Sequence, residues 1–243
     1  MPENNLAHLV SRIVIKLNEP FVNAKNPLGK KIRDKRLTYL NAGALLNLKQ
    51  AIEKVEANNV KGVFIETGCA LGGSTIQIGT AKATERILNA YDVFGMIPPP
   101  SDRDDKDVID RYDEIKQGKS KGLKGDEYYG YQKDLRGKVA GNLREFGLDP
   151  EKENIHLIQG LYEDTLKVNE PVAFAHIDCD WYDSVMTCLN EIEPNMAEGG
   201  AMVIDDYYDW SGCRKAVDDY FTPELKSKYR FSKKYQKLIL ERK

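Results

Sequence analysis

The stretch VAFAHIDCDWYDSV, residues 172–185, runs from an apolar segment straight into three acids, Asp178, Asp180 and Asp183. Packing alone gives no reason to end a buried strand in carboxylates, because a buried charge without a partner is costly. The stretch AMVIDDYYDW, residues 201–210, repeats the pattern with Asp205 and Asp206. In open α/β sheets, ligands sit outside the carboxyl ends of the strands, so two acidic strand ends point to one site. Three further short apolar runs, KGVFIET (61–67), RILNAYDVF (86–94) and ENIHLIQG (153–160), complete the set. Most are separated by segments long enough for a crossover helix. The pattern predicts an α/β fold: a doubly wound, mainly parallel Rossmann-like sheet with helices on both faces. The C-terminal YRFSKKYQKLILERK can add a final strand pair.

At 243 residues the chain fits one domain spanning 1–243 and can bury a sizeable core. A formal net charge of −2 with 30% charged residues and no basic block argues against nucleic acid as a partner. Glu3 and two asparagines stand where a secretion signal needs positive charge, and no run reaches membrane-spanning length. The expectation is a cytoplasmic protein without a membrane partner; a homo-oligomer is compatible with the sequence, which carries nothing to decide it. Cys69, Cys179, Cys188 and Cys213 form no C-x-x-C pair and no metal spacing with the three histidines, so they read as buried reduced thiols.

Residues 1–60 read as an N-terminal helical segment. Its strongest part is 37–59, where Leu45, Leu48, Ile52 and Val55 keep one face apolar. SGCRKAVDDYFTPELK, residues 211–226, also reads helical, with Pro223 near its end. Residues 97–138 are too long and too charged for a simple crossover, and of a solvated insertion and a lid over the site the expectation is the lid. Tyr128, Tyr129 and Tyr131 within it suit stacking on a ligand, although surface tyrosines are common.

Two constellations carry chemistry. In FIETGCALGGSTIQIG a strand delivers Glu66, Gly68, Gly72 and Gly73 let backbone pass close to a ligand, and Ser74 and Thr75 open a helix. The glycine spacing is neither the dinucleotide fingerprint nor a P-loop. Asp92 ends the next strand at roughly the 20-residue offset where an acid can bond ribose hydroxyls. The second constellation is Asp178, Asp205 and Asp206, hard oxygen donors suited to magnesium or calcium. The same acids would also serve as helix caps or solvated charges. Asp180 and Asp183 read as the latter kind, one of them capping a helix that begins near Ser184.

Taken in order, ETGCALGGS, YDVFGM, IHLIQGLYEDTL, HIDCDWYDSV and VIDDYYDWSGCRKAVDDY resemble the macrocin O-methyltransferase family. The resemblance runs from about Leu37 to Phe221. It implies a class I methyltransferase fold, S-adenosylmethionine, a magnesium ion (Mg2+) and a small-molecule hydroxyl acceptor, often a sugar on a natural product. By the same resemblance Glu66, Gly68 and Ser74 hold the methionine part of the cofactor, Asp92 the ribose, and Gly160 with Tyr162 the adenine side. Asp178, Asp205 and Asp206 hold the metal. Asp178 is also the candidate base for the acceptor proton, a role that competes with metal ligation. Two other functions fit parts of the sequence. Tyr129 and Lys133 have the Y-x-x-x-K spacing of short-chain reductases that use nicotinamide, although they precede the third strand rather than follow the later ones. A non-catalytic nucleotide-binding module would keep the glycine turn but has no evident need of the acid trio.

Overall fold

A computed structural model describes residues 16–243, so the first fifteen residues of the expected N-terminal helical segment lie outside them. Helices α1 (Glu19–Lys25), α2 (Pro27–Asp34) and α3 (Ala42–Ala57) precede β1 (Val63–Thr67), α4 (Gly73–Ala81) and β2 (Leu88–Asp92). Next come α5 (Lys106–Lys116), α6 (Leu135–Glu145), β3 (Ile155–Gln159), α7 (Tyr162–Thr165), β4 (Val172–Ile177) and α8 (Tyr182–Ile192). The chain ends with β5 (Met196–Ile204), α9 (Ser211–Tyr220), α10 (Pro223–Ser227), β6 (Tyr229–Lys234) and β7 (Lys237–Arg242).

The strands form one sheet in the order β3-β2-β1-β4-β5-β7-β6. β1 to β5 pair in parallel, while β7 runs antiparallel to both β5 and β6. The expected doubly wound sheet is therefore present, with the terminal strand pair attached to β5. Strand order reverses between β1 and β4, and the turns that leave these two strands carry Gly68 and Asp178.

Alternation along the strands divides the core in two. Phe64 packs with Leu45, Leu48, Ile52, Ile76 and Val139 on one face, whereas Val63 and Ile65 pack with Val185, Leu189 and Val217 on the other. The four residues that predicted the apolar helix face, Leu45, Leu48, Ile52 and Val55, are all essentially inaccessible to solvent.

Several boundaries differ from the sequence reading. Residues 37–41 lie outside α3, which begins after Asn41, whose side chain accepts from the Ala44 N–H. β5 starts at Met196 and stops at Ile204, because Asp206–Tyr208 turn into a 3-10 helix. The expected 211–226 helix breaks at Phe221, after which Thr222 caps α10 by accepting from Leu225 N–H. The insertion contains α5, with Val108 and Ile115 buried, and so has an ordered apolar face of its own. The four cysteines are buried and unbridged, as expected.

The tightest point of the sheet is Gly68. Its φ is +92°, and a Cβ there would stand 2.0 Å from the Asp178 carbonyl oxygen. Only glycine lets the turns after β1 and β4 approach this closely. Gly68→Ala is expected to lower unfolding free energy by roughly 3 kcal/mol or more, measured by urea denaturation. A loss below about 1 kcal/mol would mean that the two turns separate without strain.

Candidate active site

The turn after β1 folds back over the end of β2. Asp92 at that end is only 6% exposed, and its carboxylate accepts from three backbone amides: Cys69 (2.7 Å) and Ala70 (3.2 Å) at Oδ2, and Phe94 (2.7 Å) at Oδ1. Burial raises its pKa while the three amides act against the rise. A carboxylate offers about four lone-pair directions, so one remains for a ligand hydroxyl. Asp92 thus fastens the glycine turn and also lines two neighbouring cavities.

The larger cavity, ≈ 500 Å³, opens over the carboxyl ends of β1, β4 and β5. Its walls include Gly68, Ser74, Asp178, Asp180, Asp205 and Asp206 from the sheet side, Tyr39 and Asn41 before α3, and Arg111, Tyr128 and Tyr129 from the insertion. The smaller, ≈ 60 Å³, shares Gly68, Asp92, Tyr129, Asp178 and Asp180 with it and is closed by Val93, Leu161, Tyr162 and Trp181. Of the residues that the resemblance assigned to cofactor or metal, Glu66 and Gly160 line neither cavity. Glu66 is fully buried on β1, where the sheet register places it beside His176 of β4, and its Oε1 lies 3.3 Å from His176 Nδ1. Burial disfavours the charged imidazole, but the bond to Glu66 and the nearby Asp178 outweigh it and raise the His176 pKa. Gly160, at φ +150°, turns the chain out of β3 toward Tyr162, and its N–H donates to the Asp92 carbonyl (3.0 Å).

At the other half of the site, β4 and β5 are adjacent and bring the acid trio together. One carboxylate oxygen from each of Asp178, Asp205 and Asp206 lies within 4.8 Å of the others. Asp206 Oδ2 is buried without a hydrogen-bond partner. Three hard oxygen donors at this separation, one of them unpartnered, suit a magnesium-sized cation. Lys237 of β7 supports the cluster from the far side. Its ammonium donates to Asp205 Oδ2 (2.6 Å), the Asp205 carbonyl (3.1 Å) and Asp209 Oδ2 (3.3 Å). Burial opposes its charge, but Asp205, Asp206 and Asp209 together raise its pKa. On the carboxylate side, burial and the Asp205 charge push Asp178 up to about 7, while burial and the charges of Asp180 and Asp178 lift Asp206 well above the usual range.

Asp180 is where the sequence reading falls short. It caps nothing: α8 begins at Tyr182, and the Tyr182 N–H is taken by Asp104 of the insertion (2.8 Å). Asp180 instead lines both cavities, outside the trio, and burial pushes its pKa up to about 6. The only hint of this in the sequence is its spacing of two from Asp178. Lys237 carried no signal at all, because its site depends on β7 pairing with β5. Of Tyr128, Tyr129 and Tyr131 in the insertion, the first two line the larger cavity, but the Tyr131 hydroxyl is bonded to the Ile115 carbonyl (2.6 Å). Tyr129 and Lys133 do not form a reductase pair, since Lys133 is exposed while Tyr129 faces the cleft.

Among curated proteins, demethyldecarbamoylnovobiocin O-methyltransferase of Streptomyces niveus is 29% identical over 191 residues, spanning 75% of this chain and 67% of that protein. Mycinamicin III 3''-O-methyltransferase of Micromonospora griseorubida is 28% identical over 193 residues, spanning 75% and 69%. Among solved structures, the O-methyltransferase NovP shares the fold at a TM-score of 0.70 and 22% identity, over 85% of this chain and 82% of that one. No described helix is long and apolar enough to cross a membrane. A family model described as Macrocin-O-methyltransferase (TylF) matches residues 13–226, which include the glycine turn, Asp92 and all the strand-end acids, so the chain belongs to that family and is an O-methyltransferase.

Proposed function

We propose that this chain transfers the methyl group of S-adenosylmethionine to a hydroxyl of a glycosylated natural product, assisted by magnesium. One observation carries the reading: Asp178, Asp205 and Asp206 converge to within 4.8 Å in a cleft that also contains the glycine turn and Asp92. The described residues act as one catalytic domain, with residues 97–138 as its lid. The relatives' names support a sugar hydroxyl, and so does a cleft lined by Tyr39, Tyr128, Tyr129 and Trp210 beside carboxylates. Aromatic faces and acids together suit the apolar faces and hydroxyls of a sugar ring.

In this reading Gly68 and Ser74 would hold the cofactor's methionine part, the free direction of Asp92 a ribose hydroxyl, and Gly160 with Tyr162 the adenine side. Glu66 supports the turn from beneath through His176. Asp178, Asp205 and Asp206 would hold magnesium, which lowers the pKa of a hydroxyl that it polarises. Asp180 accepts the acceptor's proton. S-adenosylmethionine would supply a methyl group already activated by its sulfonium, so the residues around it need to align the acceptor oxygen and take its proton. Giving Asp180 the base role removes the conflict in Asp178, since a carboxylate bound to a cation is a weakened base.

The test is methyl transfer from labelled S-adenosylmethionine to a panel of glycosylated acceptors that includes demethyldecarbamoylnovobiocin. Chelation is expected to abolish turnover and added magnesium to restore it; full activity in chelator would remove the metal from the mechanism. Asp206→Asn should weaken magnesium binding and turnover together while cofactor affinity stays within about twofold.

Asp180→Asn is expected to lower kcat by roughly 10² to 10⁴ with magnesium affinity retained. If magnesium affinity fell instead with kcat intact, Asp180 would be a ligand and not the base.

A pH dependence of stability follows from the raised carboxyl pKa values. Folded Asp178 and Asp180 hold their protons to about 7 and about 6, against roughly 3.9 for an unfolded aspartate. The folded state therefore binds more protons across that interval, and unfolding free energy falls as pH rises through it. In chelator, Tm should fall between about pH 5 and about pH 8, and saturating magnesium should offset the fall. A metal-free Tm that rises over this range would contradict the burial of these acids.

A further inference from the structure

The insertion contributes more than a cover. Asp104 and Asp107, at the start of α5, each reach across to the first turn of a different helix. Asp104 is 6% exposed; its Oδ1 accepts from Tyr182 N–H (2.8 Å) at the start of α8, and its Oδ2 accepts from Ser101 N–H (3.0 Å). Asp107 Oδ2 accepts from Ser211 N–H (3.0 Å) at the start of α9, and its Oδ1 accepts from the Ser211 hydroxyl. Neither helix has a side-chain cap from its own N-cap residue: those positions are Trp181 and Trp210. Both indoles serve the junction otherwise. They meet edge to face at 6.0 Å, and Trp181 Nε1 donates to the Pro98 carbonyl (2.9 Å).

These two helices are the ones that follow the catalytic turns. α8 starts two residues after Asp180, and α9 starts five residues after Asp206. Free N–H groups at a helix start attract an acidic partner, and a carboxylate there both bonds them and complements the helix dipole. Lys215 of α9 adds a bond back to the Arg103 carbonyl (3.0 Å). The three pieces meet at Gly212, where a Cβ would stand 2.3 Å from Asp104 Oδ1, 2.9 Å from Tyr182 N and 3.0 Å from the Asp180 carbonyl oxygen. The backbone of Asp180 is therefore packed directly against the clamp.

We propose that Asp104 and Asp107 are positioning residues. By capping α8 and α9 from the insertion, they make the placement of Asp180, and of the acids at the end of β5, conditional on the insertion being docked. An undocked insertion leaves both helix starts uncapped and the Asp180 turn loose, so the proton acceptor is in place only when the cleft is covered. This rests on the catalytic reading above for its consequence in turnover, but not for the clamp itself.

Hydrogen exchange and turnover in the full chain test it together. Asp104→Ala should speed amide exchange at residues 181–184 and proteolytic cutting within 97–138 by about tenfold or more. With whichever acceptor of the panel the wild type methylates, its kcat should fall about tenfold or more while the affinity for S-adenosylmethionine stays within about twofold. Asp107→Ala should likewise speed amide exchange at residues 211–214 and lower kcat, whereas Asp107→Asn, whose amide can accept from Ser211 N–H and donate to the Ser211 hydroxyl, should stay near wild type in both; Asp107→Ala unchanged in both would remove Asp107 from the clamp. Gly212→Ala changes no acid yet forces the junction apart, and should reproduce the Asp104→Ala pattern. A fall in Tm with kcat and exchange at 181–184 unchanged would make Asp104 merely structural and overturn the proposal. So would faster exchange with undiminished kcat. If the wild type methylated nothing, the catalytic reading would fail separately, and the exchange and cutting rates of the two junction variants would alone decide for or against the clamp.

Discussion

Mutual repulsion among carboxylates is the constraint that the rest of the site answers to. Asp178, Asp180, Asp205 and Asp206 crowd the ends of two adjacent strands, and burial and like charge both disfavour ionisation of Asp178, Asp180 and Asp206 there. Such a cluster survives in a folded protein only with protons, a cation or a fixed counter-charge. Lys237 supplies the fixed part. Held by Asp205 and Asp209, it neutralises one side of the cluster and leaves the other side, with the unpartnered Asp206 oxygen, facing the cleft.

The division of labour follows from the sheet. The β1–β2 half is built from backbone and short side chains: a glycine turn, a helix start and one acid that is mostly committed to three amides. Such a surface can lie close against a ligand with little side-chain entropy to lose. The β4–β5 half is built from carboxylates, three of which converge to within 4.8 Å. Gly68 joins the two halves, because its lack of a Cβ lets the turn after β1 touch the Asp178 backbone. The geometry relating the glycine turn to the acid cluster is thus set by a backbone contact and not by side-chain packing.

The insertion belongs to this arrangement although it lies outside the sheet. Its charge and length left a solvated loop and a lid both open; its helix buries Val108 and Ile115, Tyr128 and Tyr129 line the cleft, and two of its acids end on the helices behind the carboxylate cluster. Acids in a loop are cheap to keep solvated. Here they are held by helix N-termini, the one feature of an α/β sheet's upper face that attracts anions whatever the ligand.

Much of this was legible from local pattern. Apolar runs of strand length, the glycine turn and the acids at strand ends are local features, so the sequence by itself determined a doubly wound sheet, the end of it over which the cleft opens, and the trio of acids, Asp178, Asp205 and Asp206, that lines it. Local pattern could not separate Asp180 from a helix cap, since an acid one or two residues before a helix reads the same in either role; that depended on Asp104 arriving from 78 residues away to take the Tyr182 amide. Nor could it reveal that Glu66 is sealed against His176, that Asp92 is tied to the β1 turn, or that Lys237 neutralises Asp205. Each of these depends on which strand lies beside which, and strand order is a property of the packed sheet: the partners are far apart in sequence and meet only when long-range burial of the two apolar layers has brought the strands into register.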